Sequence, residues 1–271
     1  MPVMIRVDGN AFHTFTRGFE RPFDSIMAES MQRTMKYMCE NISGCVLGYT
    51  QSDEITLLLI DYKKKNQGAW FGYVKRKVET IAASMATMAF NEAFSDVITE
   101  KISEDIMKVQ NDEETEKVKD YYFKYVKKCG RAMFDARAFN IPEFEVVNEF
   151  IWRQQDCTRN SIQSVGHANF SDKKMHKKNM SQIQDMLMLK KGINWNDFPT
   201  FLKRGSCCIK EDYFIPENEL PENHRNNLSP RTLDPEEDEY GVWRSRWIID
   251  KEIPIFTQNK NYVNDLFLNK H

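Results

Sequence analysis

The order of apolar patterns over residues 1–142 restricts the fold more than any other feature of the chain. Residues 3–7 alternate and are rich in β-prone side chains, and Asp8-Gly9 follows at once, so the spacing predicts a strand that delivers a carboxylate to its C-terminal end. Asp24 or Ser25 is placed to cap a helix in which Met27, Met31, Met35 and Met38 recur at helical spacing. Two strands are predicted over 45–49 and 55–60, joined by Thr50-Gln51-Ser52-Asp53-Glu54 as a hairpin with acids at its tip. A second helix fits residues 70–94 on the stripe Val74, Val78, Ile81, Met85, Met88 and Ala89. A strand over 132–139, stopped by Pro142, completes the order β-α-β-β-α-β. The expectation is an α+β fold: a ferredoxin-like or palm-type antiparallel sheet with helices on one face.

Residues 100–120 hold eight acids and four lysines and read as a solvated helical excursion. Residues 143–271 are expected to be a mainly helical extension packed on the 1–142 core as one unit. It has helical stretches from Glu143 and over 172–190, a short returning strand at Cys207-Cys208-Ile209, an exposed loop over 215–241, and an aromatic tail that packs back on the body.

Composition excludes several classes. A formal charge of -2 rules out a uniformly basic nucleic-acid coat and leaves room for a local basic surface. No apolar run approaches the roughly 18 residues of a membrane span, and the start does not resemble a signal peptide. Six cysteines without a C-x-x-C pair read as reduced thiols, so a soluble cytoplasmic protein with no membrane partner is expected.

Two acids at the ends of neighbouring strands, Asp8 and Asp53, are a donor set suited to Mg2+, which takes oxygen ligands and is usually held by one or two carboxylates plus phosphates. Gly9 has no Cβ, so its carbonyl and the amides of Asn10, Ala11 and Phe12 can approach a triphosphate closely. Either aspartate alone is most simply a turn residue. Their combination with the β-α-β-β order points to a phosphoryl-transfer site.

Three blocks carry a resemblance: Arg6-Val7-Asp8-Gly9 with Phe12-His13; Tyr49-Thr50-Gln51-Ser52-Asp53-Glu54; and Trp152-Arg153-Gln154-Gln155-Asp156-Cys157. In this order the chain resembles the histidine-tRNA guanylyltransferase superfamily. Residues 11–18 and the phrases Trp247-Ile248-Ile249-Asp250 and Ile253-Pro254-Ile255-Phe256-Thr257 are similar to its bacterial and archaeal-type branch of guanylyltransferase-like proteins. The resemblance implies a polymerase-like palm and a nucleotidyltransferase that extends RNA in the 3′-to-5′ direction. It implies activation of a 5′-monophosphate end by ATP or GTP, then attack by the 3′-hydroxyl of an incoming nucleoside triphosphate.

By the same resemblance, Asp8 and Asp53 bind two Mg2+ ions with the Gly9 carbonyl, and Glu54 supports the site as a third catalytic acid. Asn10, Ala11, Phe12, His13 and Ser52 face the nucleotide phosphates. Arg21 and Asp24 match a Lys-Pro-x-Asp element near the nucleotide, and Lys75, Arg76 and Lys77 match a basic helix start that contacts triphosphate. Arg153, Arg159, Asn160 and the lysines Lys173, Lys174, Lys177 and Lys178 are the candidates for RNA contact. The lysines read equally well as a solvated helix face.

Where eukaryotic members carry His-Ile-Asn-Asn, this chain has Thr158-Arg159-Asn160-Ser161. That element accompanies addition of the extra guanosine to histidine tRNA, so its absence implies templated 5′-end repair of truncated tRNA. Dedicated guanylylation of histidine tRNA is the alternative, and a non-catalytic RNA-binding module or a nucleotide cyclase is a remote one. The resemblance also implies a homotetramer.

Overall fold

The computed structural model describes residues 1–62, 68–221, 228–231 and 239–268. In chain order the elements are β1 (Val3–Gly9), α1 (Phe12–Phe15), α2 (Ser25–Asn41), β2 (Cys45–Gln51), β3 (Glu54–Leu59), α3 (Lys75–Ile106), α4 (Asp112–Val126), β4 (Phe134–Asn140) and α5 (Val146–Asn169). The rest comprises α6 (Asp172–Met175), α7 (Met180–Lys191), α8 (Thr200–Arg204), β5 (Ser206–Pro216), β6 (Ser229–Pro230), β7 (Tyr240–Asp250) and α9 (Asn261–Leu268).

The described strands join one antiparallel sheet in the order β4-β1-β3-β2-β5-β7-β6. Its first four strands interleave two β-α-β crossovers, through α2 and α3. β1 and β3 alternate between two cores. Val3, Ile5, Val7, Ile55, Leu57 and Leu59 pack with α2, α3 and α4, where Met31, Met35 and Met38 are fully buried. Met4, Leu58 and Ile60 face the other way, onto Val146, Val147 and Phe150 of α5 and onto Phe256 and Val263.

Helices therefore cover both faces, not one. The reason is local: Val3-Met4-Ile5 and Leu57-Leu58-Leu59 are continuous apolar runs, and strands of that kind are stable only when both faces are shielded from water. The outer edge of β4 is closed as well. Its Phe134 and Ala138 amides donate to Thr87 Oγ1 at 3.1 Å and Glu79 Oε1 at 2.9 Å on α3, which removes a template for unwanted pairing.

The second half departs most from the sequence reading. Instead of a short return at 207–209, β5 runs for 11 residues and pairs with β7, so the stretch expected to be an aromatic tail is itself a strand. Of the expected 215–241 loop, residues 222–227 and 232–238 lie outside the described residues, while Ser229–Pro230 pairs with β7. The predicted 172–190 helix is split, because Asn179 and Gln182 form a reciprocal capping box that starts α7. All six cysteines are free thiols, and no described helix is long and apolar enough to cross a membrane.

Candidate functional site

Strand polarity decides what can meet. β1 ends, the β2–β3 hairpin turns and β4 begins at one edge of the sheet, where the Gly9 amide donates to the Asp53 carbonyl at 3.0 Å. This bond joins the strand end that bears Asp8 to the turn that bears Asp53. Across the sheet Asp8 pairs with Glu54 on β3 and with Asp135 on β4, so three acids stand in one row. Directly below them, Arg6 pairs with Arg137.

The crowding shows in the acids. Asp8 is pushed up from 3.8 to about 6, first by partial burial and then by the charges of Asp53, Glu54 and Asp135, with Arg137 opposing. Burial raises Asp53, while a hydrogen bond from Ser52 works against the shift. Burial also raises Glu54, although Arg153 and Arg6 favour its ionised form. Unshielded carboxylates held this close are a standing electrostatic strain that a divalent cation would relieve.

Asp8, Asp53 and the Gly9 carbonyl offer the hard oxygen donors that Mg2+ prefers, with phosphate and water left to complete its shell. A cage of three or more His, Cys, Asp or Glu side chains is absent among the described residues, so a bound nucleotide would have to share the ligation. Gly9 is required sterically: a Cβ there would meet the Phe12 ring at 2.4 Å.

Beside Asp53 opens a cavity of about 540 Å3 between the 12–24 segment, α2, α5 and the α8–β5 junction. Ser52 and Asp53 form its rim on one side and His13, Arg17 and Arg21 on the other, while Phe23, Met31, Phe201 and Leu202 supply apolar wall. Deeper in, the buried Gln32 donates from Nε2 to Ser206 Oγ at 3.1 Å. A volume of this size, with cations at the mouth and apolar walls inside, suits a nucleotide.

The sequence-derived candidates divide. Asn10 donates its amide to Met133 at 2.8 Å and so cannot offer it to phosphate. Ala11 is left-handed at φ 56°, and the amides of Ala11, Phe12 and His13 meet no acceptor among the described residues. Phe12 itself is buried against Phe15, Phe90 and Phe134, so only its backbone can serve a ligand.

Asp24 borders the cavity, but its carboxylate is occupied. It caps α2 by accepting from Met27 N at 2.9 Å, and it also accepts from Glu20 N at 2.9 Å and Tyr125 Oη at 2.6 Å. Its observed role is to anchor the loop that borders the cavity.

Lys75, Arg76 and Lys77 are not at the site. Glu79 bonds β4 at Ala138 and Thr87 bonds it at Phe134, so α3 begins at the far end of the sheet and runs toward the acids. The 12 residues from Lys75 to Thr87 amount to about 18 Å of helix.

Arg153 is 6% exposed and donates to Glu54 Oε2 at 3.0 Å, with Glu149 and Asp156 close by, so it is withdrawn from RNA and instead fixes Glu54. Arg159 is exposed and bonded to Asp156 of its own helix, and Asn160, half-buried, lines the cavity beside Asp53. Lys173, Lys174 and Lys177 are exposed on and after α6, beyond the end of α5.

Two groups escaped sequence reading. Asp135 carries no motif of its own and becomes visible only through the β1–β4 register. The other is the end of α4: Lys124 lies 4.9 Å from the Tyr125 ring centroid, Lys127 lies 4.0 Å from that of Phe123, and Lys128 donates to the Thr14 carbonyl at 3.1 Å. With Arg17 and Arg131 these make a basic rim tied directly to the loop that borders the cavity.

A family profile described as tRNAHis guanylyltransferase, Thg1, matches residues 1–142. The chain is similar to a bacterial tRNA(His) guanylyltransferase-like protein solved in complex with ATP, at 38% identity and a TM-score of 0.74 over 99% of this chain and 91% of that one. A bacterial guanylyltransferase-like protein solved in complex with GTP matches at 35% identity and a TM-score of 0.67, over 99% and 90% of the two chains. The tRNA(His) guanylyltransferase of Schizosaccharomyces pombe is 24% identical over 222 residues, covering 77% of this chain and 73% of that one.

Proposed function

Because the chain belongs to the tRNA(His) guanylyltransferase family, we propose that it adds nucleotides to the 5′ end of tRNA in the 3′-to-5′ direction, templated by the opposite strand. Nucleotidyl transfer is the activity of that family. The observation that carries the reading is the approach of Asp8 to Asp53, which stands at the mouth of a nucleotide-sized cavity, on a sheet whose first four strands follow the order β-α-β-β-α-β.

In this reading Asp8, Asp53 and the Gly9 carbonyl hold two Mg2+ ions, whose chemistry is to neutralise the triphosphate and activate the attacking oxygen. The chain's own residues do the positioning. Ser52 orients the Asp53 carboxylate through its hydrogen bond, and Arg153 immobilises Glu54 within the row of acids. His13, Arg17, Arg21 and the free amides of Ala11, Phe12 and His13 receive phosphate oxygens, and Gln32 and Ser206 face the base. Charge developing on the transferred phosphoryl group thus meets donors already in place, which lowers the reorganisation needed at the moment of reaction.

Thr158-Arg159-Asn160-Ser161 in place of His-Ile-Asn-Asn supports repair of truncated tRNA over dedicated guanylylation of histidine tRNA. On this reading specificity resides in base pairing, and the basic rim of Lys124, Lys127, Lys128 and Arg131 needs only to hold phosphates, a task that carries no sequence information. Incubation with 5′-truncated tRNAs whose unpaired 3′ partner is varied, followed by sequencing of the new 5′ end, is the test. Repair yields an added base that follows its partner. Addition of G alone, to histidine tRNA alone, would refute it.

A further inference from the structure

Trp152 is the most exposed tryptophan of the chain, at 56%, in a residue type that usually hides most of its ring. It is also unusually well supported. The Arg153 guanidinium lies 4.1 Å from the indole centroid, and Arg153 is itself buried and held by Glu54. Glu54 adjoins Asp53 in the chain. The indole is thus backed by a cation whose position is set by the same hairpin that carries the acids.

Two further guanidinium groups lie in the strip around it: Arg6, half-buried and ion-paired with Glu149 and Glu54, and the exposed Arg137. The Arg6 guanidinium stands 5.9 Å from the Trp152 ring and 5.9 Å from the ring of Phe139, which is 36% exposed on β4. Arg137, exposed, pairs with Arg6 across the strands and is close enough to Asp8 to oppose its neighbours' charges. Arg6 is two residues from Asp8 on the same face of β1, a separation of about 7 Å along the strand. The strip therefore borders the row of acids beside Trp152 and Arg153, whereas the cavity beside Asp53 meets α5 farther along, at Cys157, Asn160, Ser161 and Ser164, and reaches in among α2 and the 12–24 loop.

An aromatic face backed by arginine, beside a phosphoryl-transfer centre, matches the chemistry of an unpaired nucleobase: the ring stacks, and the exposed Arg137 guanidinium meets the phosphate. A protein partner would also value Trp and Arg. What favours the base is place, because an RNA whose 5′ phosphorus reacts at Asp8 must set its first nucleotide within one nucleotide length of that residue. We propose that Trp152 is a stacking shelf for the terminal nucleobase of the RNA 5′ end, with Arg137 beside it as a phosphate contact. The inference rests on the reading of the site as a tRNA 5′-end nucleotidyltransferase. It makes Trp152 and Arg153 a ruler: Arg153 fixes the indole to Glu54, and the indole fixes the base relative to the acids.

The experiment compares wild type, Trp152→Ala and Trp152→Phe on a 5′-triphosphorylated RNA hairpin with either a normal or an abasic first nucleotide. Stacking contributes enough that Trp152→Ala should raise the Kd for the normal RNA about 5- to 150-fold, leave the KM for the nucleoside triphosphate unchanged, and be largely rescued by Phe. In wild type the abasic end should weaken binding by a similar factor, and in Trp152→Ala it should weaken it no further, the signature of a direct pair in a double-mutant cycle. An abasic penalty of equal size in both proteins overturns the shelf. So does a change of oligomeric state in Trp152→Ala with RNA affinity intact, which would assign the strip to a second copy of the chain. Wild type that extends RNA while both variants bind it as tightly refutes the shelf alone; wild type that extends no RNA 5′ end refutes the shelf and the reading beneath it together.

Discussion

Replacing Asp8 by Asn should make the metal-free protein more stable at pH 8 while abolishing nucleotidyl transfer. Asp8 is raised from 3.8 to about 6, chiefly by partial burial and by Asp53, Glu54 and Asp135. Two units at roughly 1.4 kcal/mol each put an upper bound of about 3 kcal/mol on the cost of its charge in the folded state. The side chain is substantially exposed, so solvent screening reduces that to about 1–1.5 kcal/mol. The sign follows from linkage: a carboxyl whose folded pKa exceeds its unfolded one favours the folded state below pH 3.8 and loses that contribution as pH rises through about 6. Asn reproduces the neutral form at every pH. Urea unfolding in EDTA at pH 4, 6 and 8 should therefore show a gain for Asp8→Asn of about 0.5 M in midpoint at pH 8, shrinking through pH 6 and absent at pH 4. Millimolar Mg2+ should narrow the gap by stabilising the wild type, since it binds the folded state alone. A variant that is less stable than wild type at pH 8, or a gain that grows toward acid, would show that the row of acids is not the source of the strain.

Three further outcomes check other parts of the site. Alanine at Lys124, Lys127 and Lys128 together should weaken tRNA binding and flatten the dependence of log K on log salt by about 0.7–0.9 per lost phosphate contact, with the KM for ATP unchanged; an unaltered salt slope removes the rim from the interface. The pair Lys75→Ala and Arg76→Ala should leave the KM for nucleoside triphosphate within twofold of wild type, since α3 begins at the other end of the sheet, and a tenfold rise would contradict that placement. Asp24→Ala removes a helix cap and two further hydrogen bonds and should lower stability by about 2–3 kcal/mol in denaturant unfolding. Asp24→Asn should lower it less, and a stability loss under 0.5 kcal/mol, roughly that of a surface change, would contradict its anchoring role.

What could be read in the sequence was local. The Met27-Met31-Met35-Met38 spacing gave α2 its inward face, and Asp24 its cap, because both signals lie within one or two helical turns. The long β5–β7 pairing could not be read that way. Lys210, Glu211 and Asp212 interrupt any alternation in β5, and its partner begins 24 residues after β5 ends, so only the three-dimensional pairing of Phe214 with Trp243 and Tyr213 with Arg244 reveals two strands. Arg153 misled for a similar reason. A motif places it near the acids, but whether it faces RNA or the interior depends on which side of α5 turns toward Glu54.

The misplacement of Lys75 and the omission of Asp135 have a common origin, and both were within reach of the topology. In an interleaved β-α-β-β-α-β sheet the chain leaves β1 at one edge, returns there at the β2–β3 hairpin, and returns again to start β4. Glu54 opens β3 at that edge, so β3 must end at the other, and the helix that follows must begin there with its basic residues. By the same rule the first residues of β4 come back beside the last residues of β1, which sets Asp135 opposite Asp8. Residue type alone treats a cation and an acid near a motif as equally eligible for the site. Strand direction separates them, because a helix whose lysines start at one edge of a sheet about 17 Å long cannot bring them to the opposite edge within the same chain.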